Sequence, residues 1–148
     1  MILNQTAEYA FRAMACLAIC HDKGPLRASD LSKSTNIPTF YLSKVMRRLV
    51  VAGLVGSQRG RGGGFHLMRT PEEIRFEEIL DAIDYRSDLG RCAFGFGRCN
   101  EHLPCPLHDS WTTLQNAFND WASMHTLADA TESQYLEMLN TVRSLNDT

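Results

Sequence analysis

Three cysteines, Cys92, Cys99 and Cys105, are separated by six and five intervening residues in a glycine-rich stretch, and Pro106 follows the last of them. Three thiolates and one further donor complete the coordination of an iron–sulfur cluster or of a zinc ion. His108, one helical turn past Cys105, is a strong choice for the fourth donor; Glu8 is an acidic alternative and His102 a weaker third. Structural zinc favours compact Cys-x(2–4)-Cys pairs, which this stretch lacks, so the wide spacing favours a cluster over zinc or metal-free thiols. Cys16 and Cys20 lie one turn apart in an apolar helical segment and read as core.

A second chemistry is carried by charge. The net charge of −2 hides a division: residues 1–70 hold ten Lys/Arg against three acids, net +7, and residues 71–148 hold five against fourteen, net −9. Binding to a polyanion depends on the local field, so the first half is suited to nucleic acid even though the whole chain is acidic. With 44% hydrophobic and 22% charged residues in 148, the chain has the makings of one folded domain with a helical appendage and falls outside the disordered class. Its longest apolar run, Ala13 to Cys20, is far short of the ~20 residues that span a bilayer. No basic leader with a small-residue cleavage site is visible, so a cytoplasmic location without membrane contact is expected.

These residues need elements to position them. Ala7 to Cys20 predicts a helix with Thr6 as its cap, and Ala28 to Thr35 a short second helix with Leu31 inward. Asn36-Ile37-Pro38 forces a turn, and Thr39 to Ala52 forms a third helix. On it Leu42, Val45, Met46 and Leu49 face the core, Lys44, Arg47 and Arg48 face outward, and Gly53 ends the helix. Leu54 to Gln58 and Phe65 to Arg69 are β-prone and flank Arg59-Gly60-Arg61-Gly62-Gly63-Gly64, a hairpin with a basic tip. The order helix, helix, turn, helix, hairpin is a winged helix-turn-helix, so the fold class is mainly α with a small β-hairpin wing.

Thr70-Pro71 opens a further helical stretch with Ile74, Phe76, Ile79, Leu80 and Ile83 inward, and Asp84 to Pro106 is a long loop. From His108 to about Met124 the chain is helical again. Trp111, Leu114, Phe118 and Trp121 recur on it at heptad spacing, a seam suited to the same helix of a second subunit. A short helix follows at Thr126 to Asp129, and Gln134 to Leu145 is an amphipathic tail. The chain thus divides into a DNA-binding domain (1–84), a cluster loop (85–107), a dimerisation helix (108–130) and a tail (131–148).

Side chains near the N-terminal end of a recognition helix reach base edges, which singles out Thr39, Tyr41, Ser43 and Lys44, while Arg47 and Arg48 are placed for phosphates. Arg59 and Arg61 suit the minor groove or its rims, and Ser29 at the start of the second helix joins the DNA-binding set. The glycine-rich tip is not a phosphate loop of a nucleotide enzyme, because Phe65-His66-Leu67-Met68 after it is β-like and no Lys-Ser/Thr follows. Neither a His-Glu-x-x-His nor a Gly-x-Ser-x-Gly pattern is present, so no hydrolase and no small-molecule substrate is expected.

Over roughly residues 1–130 the chain resembles the Rrf2 family of bacterial winged-helix regulators. The resemblance is carried by Glu8-Tyr9-Ala10, Ile37-Pro38 with Tyr41-Leu42, Ala52-Gly53-Leu54-Val55, Arg59-Gly60 with Gly62-Gly63-Gly64, the three cysteines, and Thr126-Leu127-Ala128-Asp129. It implies a homodimeric transcription factor with crossed long helices, a near-palindromic operator, and a cluster in each loop that reports redox state, nitric oxide or iron–sulfur supply. Cys105-Pro106-Leu107-His108 looks like the arrangement that places a histidine on a [2Fe–2S] cluster, the favoured cofactor, with [4Fe–4S] as the alternative. Glu8 stands where nitric-oxide-sensing relatives supply a carboxylate from the partner subunit. The other readings are a DNA-binding dimer with structural zinc, a metal-free thiol regulator and, more remotely, an electron carrier.

Overall fold

The computed structural model describes residues 2–85, 90–131, 137–138 and 140–141. Helix α1 (Gln5–Ile19) runs through the centre of the body. Its alanines at 7, 10, 13, 15 and 18 are all buried, and these small side chains let neighbouring elements approach on several sides. The helix starts two residues earlier than the periodicity suggests because Asn4, not Thr6, caps it, accepting from the Ala7 N–H at 2.8 Å.

Helices α2 (Ala28–Thr35) and α3 (Thr39–Val51) pack on α1 around Met14, Leu31, Leu42, Met46 and Leu49, each fully buried. The turn between them passes through Asn36 in the left-handed region, a conformation asparagine tolerates. Past α3, Gly53 (φ 78°) donates to the Val50 carbonyl and Leu54 to that of Leu49, the two bonds of a Schellman stop.

Strands β1 (Val55–Gln58) and β2 (Gly64–Leu67) pair antiparallel with Val55 opposite Leu67 and Gln58 opposite Gly64. Leu26, in the α1–α2 connection, exchanges both backbone hydrogen bonds with Phe65 (2.9 and 2.7 Å). The wing is therefore fastened to the helices. Gly64 (φ 143°) permits this closeness, since a Cβ there would overlap the Leu26 carbonyl.

The stretch opened by Thr70-Pro71 is not one helix. A 3₁₀ turn (Pro71–Glu73) ends at Ile74 and Arg75, both extended, and α4 (Phe76–Ala82) begins after them. Arg75 is taken into a bridge with Thr126: Leu127 donates to the Ile74 carbonyl at 2.9 Å and Phe76 to that of His125 at 3.0 Å. Glu73 and Glu78 each reach back to the N–H at the start of their turn, so both segments are capped separately.

Helix α5 (His108–Met124) meets the body along its C-terminal two-thirds, and Ala122 is its one buried residue. The remainder projects beside the loop at 90–107, which lacks regular elements apart from an Arg91–Arg98 bridge. A 3₁₀ turn at Leu127–Thr131 follows, with Leu127 in the core. Most of the predicted tail lies outside the described residues. Among those described, no helix is long and apolar enough to cross a membrane.

Candidate metal centre and nucleic-acid interface

The cysteine loop is more ordered than its composition suggests. Cys99 donates from its backbone to Gly90 (2.9 Å), Cys92 to Gly97 (2.7 Å), and Gly95 turns back on the Cys92 carbonyl (2.9 Å). This miniature hairpin brings Cys92 and Cys99 near each other despite the six-residue gap. The Cys105 carbonyl accepts from the His108 N–H at 3.0 Å, which joins the third cysteine to the first turn of α5. Cys92, Cys99, Cys105 and His108 line one pocket of about 440 Å³, together with Phe96, Arg98, Asn100, Leu103 and Pro104.

Cys92 and Cys99 differ in acidity. The Phe94 N–H, then those of Phe96 and Gly95 and the Cys105 thiol, hold Cys92 below the usual thiol range despite some loss of solvation. Burial pushes Cys99 up, and the charges of Cys92 and Cys105 push it further. Neighbouring thiolates of this kind repel, and a cationic metal centre among them would relieve that repulsion. Three soft sulfur donors and an imidazole fit an iron–sulfur group in chemistry. Among the described residues no three His, Cys, Asp or Glu side chains have converged at the separation of a single bound ion.

Of the other donors proposed from sequence, His102 is exposed, does not line the pocket, and has its backbone N–H on Asn100. Glu8 lies on a different, mainly apolar hollow of the same chain, beside Arg12, Phe11 and Trp121.

Periodicity does not reveal what holds the loop to α5. Trp111 Nε1 donates to the Arg91 carbonyl at 2.7 Å. The Gln115 side chain, in the orientation that satisfies its neighbours, accepts from the Gly90 N–H at 2.8 Å. The indole N–H of Trp111 is thus committed to the loop. The rest of the seam divides: Phe118 and Trp121 join an aromatic group with Phe11, Phe76 and Tyr85. Leu114 is 50% and Trp121 36% exposed. Ile2, Leu3, Leu114, Ala117, Phe118 and Trp121 together line a shallow apolar hollow.

On α3 the residues expected to meet DNA are exposed: Thr39, Tyr41, Ser43, Lys44, Arg47 and Arg48, with Ser29 on α2 and Arg59 and Arg61 on the wing. Their freedom differs. Ser43 returns its hydroxyl to the Thr39 carbonyl (2.9 Å), and Arg48 donates to the Ile83 carbonyl (3.1 Å). Lys44, Arg47 and Arg48 border a hollow shared with Asp81 and Asp84, so acids temper the C-terminal half of the basic face. Tyr41, 48% exposed, leans back toward Tyr9, with ring centroids 6.2 Å apart. Phe40, absent from the residues expected at this surface, is the most exposed aromatic of the helix at 66%. Its position opposite the Leu42-Val45-Met46-Leu49 stripe was a signal available from spacing alone.

Comparison with known proteins gives consistent results. Residues 3–133 match the family model Rrf2, described as an iron-dependent transcriptional regulator. A candidate HTH-type transcriptional regulator of Neisseria meningitidis serogroup A is 33% identical over 134 residues, 90% of each chain. The HTH-type transcriptional regulator IscR of Cronobacter sakazakii is 32% identical, covering 90% of this chain and 82% of its own. Among solved structures, CymR, the global cysteine regulator of B. subtilis, superposes with a TM-score of 0.74 at 23% identity, over 87% of this chain and 95% of its own. At that identity the likeness is one of fold.

Proposed function

Because the chain belongs to the Rrf2 family and is thereby a DNA-binding transcriptional regulator, we propose that it acts as a homodimer whose affinity for an operator is set by an iron–sulfur cluster held in the 90–108 segment. The cluster's ligands are Cys92, Cys99, Cys105 and His108. The observation that carries this reading is that these four side chains, from three separate parts of the segment, line one pocket. When bound, the cluster supplies a centre that changes charge or composition with redox state and iron supply.

The protein's own residues do the rest. The backbone amides around Cys92 favour its thiolate, the form that ligates metal. His108 begins α5, and Trp111 and Gln115 fasten the other end of the loop to the same helix. A change in loop shape therefore bears on α5, and through the apolar hollow at Leu114 on the second subunit. The spacing of two recognition helices across a dimer sets how well they fit successive major grooves, so that route reaches DNA affinity. Linkage makes the effect reciprocal: whatever the cluster does to operator binding, the operator does equally to cluster binding.

A metal-free thiol regulator is the second reading, favoured by the free state of Cys92, Cys99 and Cys105, which line one pocket. Purification without air separates the two. We expect visible charge-transfer absorption with iron and acid-labile sulfide in the wild type, all lost in Cys92→Ala. Colourless protein that takes up no iron on reconstitution would overturn the cluster reading.

A further inference from the structure

The outward stripe of α3 runs Phe40, Lys44, Arg47 and Val51, at spacings of four, three and four, directly opposite the buried Leu42-Val45-Met46-Leu49 stripe. An aromatic ring on a face otherwise built for a polyanion is out of keeping with phosphate contact. It also contributes nothing to the core: Phe40 is 66% exposed, is met edge-on by Tyr41 at 5.6 Å, and is covered by the Lys44 ammonium at 4.3 Å, both on its own helix. Tyr41 beside it turns toward Tyr9, whereas Phe40 stays exposed to solvent. Phe40 is also the second residue of the helix, the end from which base edges are reached.

We propose that Phe40 is a specificity-determining residue that packs its ring against the 5-methyl group of a thymine in the major groove. That methyl is the one apolar feature a base pair presents there, and apolar side chains are what read it. Lys44, aligned over the ring, keeps a cation beside the same base step, where guanine O6 and N7 or a phosphate oxygen can accept from it. The inference rests on the reading that α3 is the helix that enters the groove.

The test uses the full chain, prepared without air, and a duplex selected by it from a random-sequence pool. Each thymine of that duplex is replaced in turn by deoxyuridine, which removes only the methyl group. Wild-type protein should lose affinity about fourfold at one thymine in each half-site, the worth of one buried methyl-sized group. Phe40→Ala should bind the thymine duplex more weakly and no longer distinguish thymine from uracil at that position, while Phe40→Leu keeps part of the difference. Phe40 makes no core contact, so thermal melting of Phe40→Ala should match the wild type. Equal affinity for thymine and uracil at every position, or discrimination unchanged in Phe40→Ala, would overturn the proposal. The paired variant Lys44→Ala/Arg47→Ala separates the two failures: if it leaves affinity and salt dependence untouched, α3 is not the reading helix; if it weakens binding while Phe40→Ala keeps its discrimination, only the thymine contact is wrong.

Discussion

The Phe94 N–H, with those of Phe96 and Gly95 and the Cys105 thiol, holds Cys92 below the usual thiol range, and a thiol so favoured toward its thiolate would be the natural first ligand of a metal centre. Replacing it should remove bound iron entirely. His108→Ala and Glu8→Ala separate the candidates for the fourth donor: iron content and the visible spectrum should change in the first and stay as wild type in the second. Much of this site could be read from residue types and spacing alone, since thiols with an adjacent imidazole have few other uses. The amide cradle could not, because it depends on the turn at Cys92 to Gly95, which glycines permit but do not specify. Nor could the commitment of Trp111, whose heptad spacing argues for a seam while its indole N–H goes to Arg91. Trp111→Phe keeps the ring and drops that bond, worth about 0.5–1.5 kcal/mol. It should speed loss of iron to a chelator while the far-ultraviolet dichroism stays unchanged.

At the scale of elements, α2 and α3 form where periodicity and flanking residues agree, between the turn at Asn36-Ile37-Pro38 and the Schellman stop at Gly53. Where sequence reading fails, tertiary pairing has overridden a local pattern. Ile74 continues the apolar stripe of α4, yet its carbonyl is taken by Leu127, a partner more than fifty residues away that no local window contains. That junction predicts a pH response. The Thr126 N–H first, and His125 beside it, hold the Asp129 carboxyl below the usual carboxylate range. The unfolded chain then binds the extra proton more readily, so Asp129 adds stability above about pH 4 and loses it as the pH falls through its lowered folded-state value. Thermal melts should show Asp129→Asn less stable than wild type at neutral pH, with the gap closing in acid. The wing offers a backbone test: Gly64→Ala forces a Cβ onto the Leu26 carbonyl at positive φ and should cost about 1–3 kcal/mol in chemical denaturation.

The whole molecule divides its charge along the chain, with a basic winged-helix half and an acidic loop-and-helix half. If Lys44, Arg47, Arg59 and Arg61 of each protomer meet phosphates, operator affinity should fall with salt at a log–log slope of about −7, and Arg59→Ala should flatten it by about 2. Leu114 is half exposed on an apolar hollow that a second copy would cover. Leu114→Asp should therefore shift the protein to monomer in sedimentation and weaken operator binding together. The central claim is that the cysteine pocket and the reading helices are energetically joined. Its most direct test is operator affinity measured without air on one preparation, before and after its iron and sulfide are stripped, with Cys92→Ala alongside. A difference of tenfold or more, with Cys92→Ala matching the stripped form whether or not iron is supplied, is the expected result; equal affinity for both forms would contradict it.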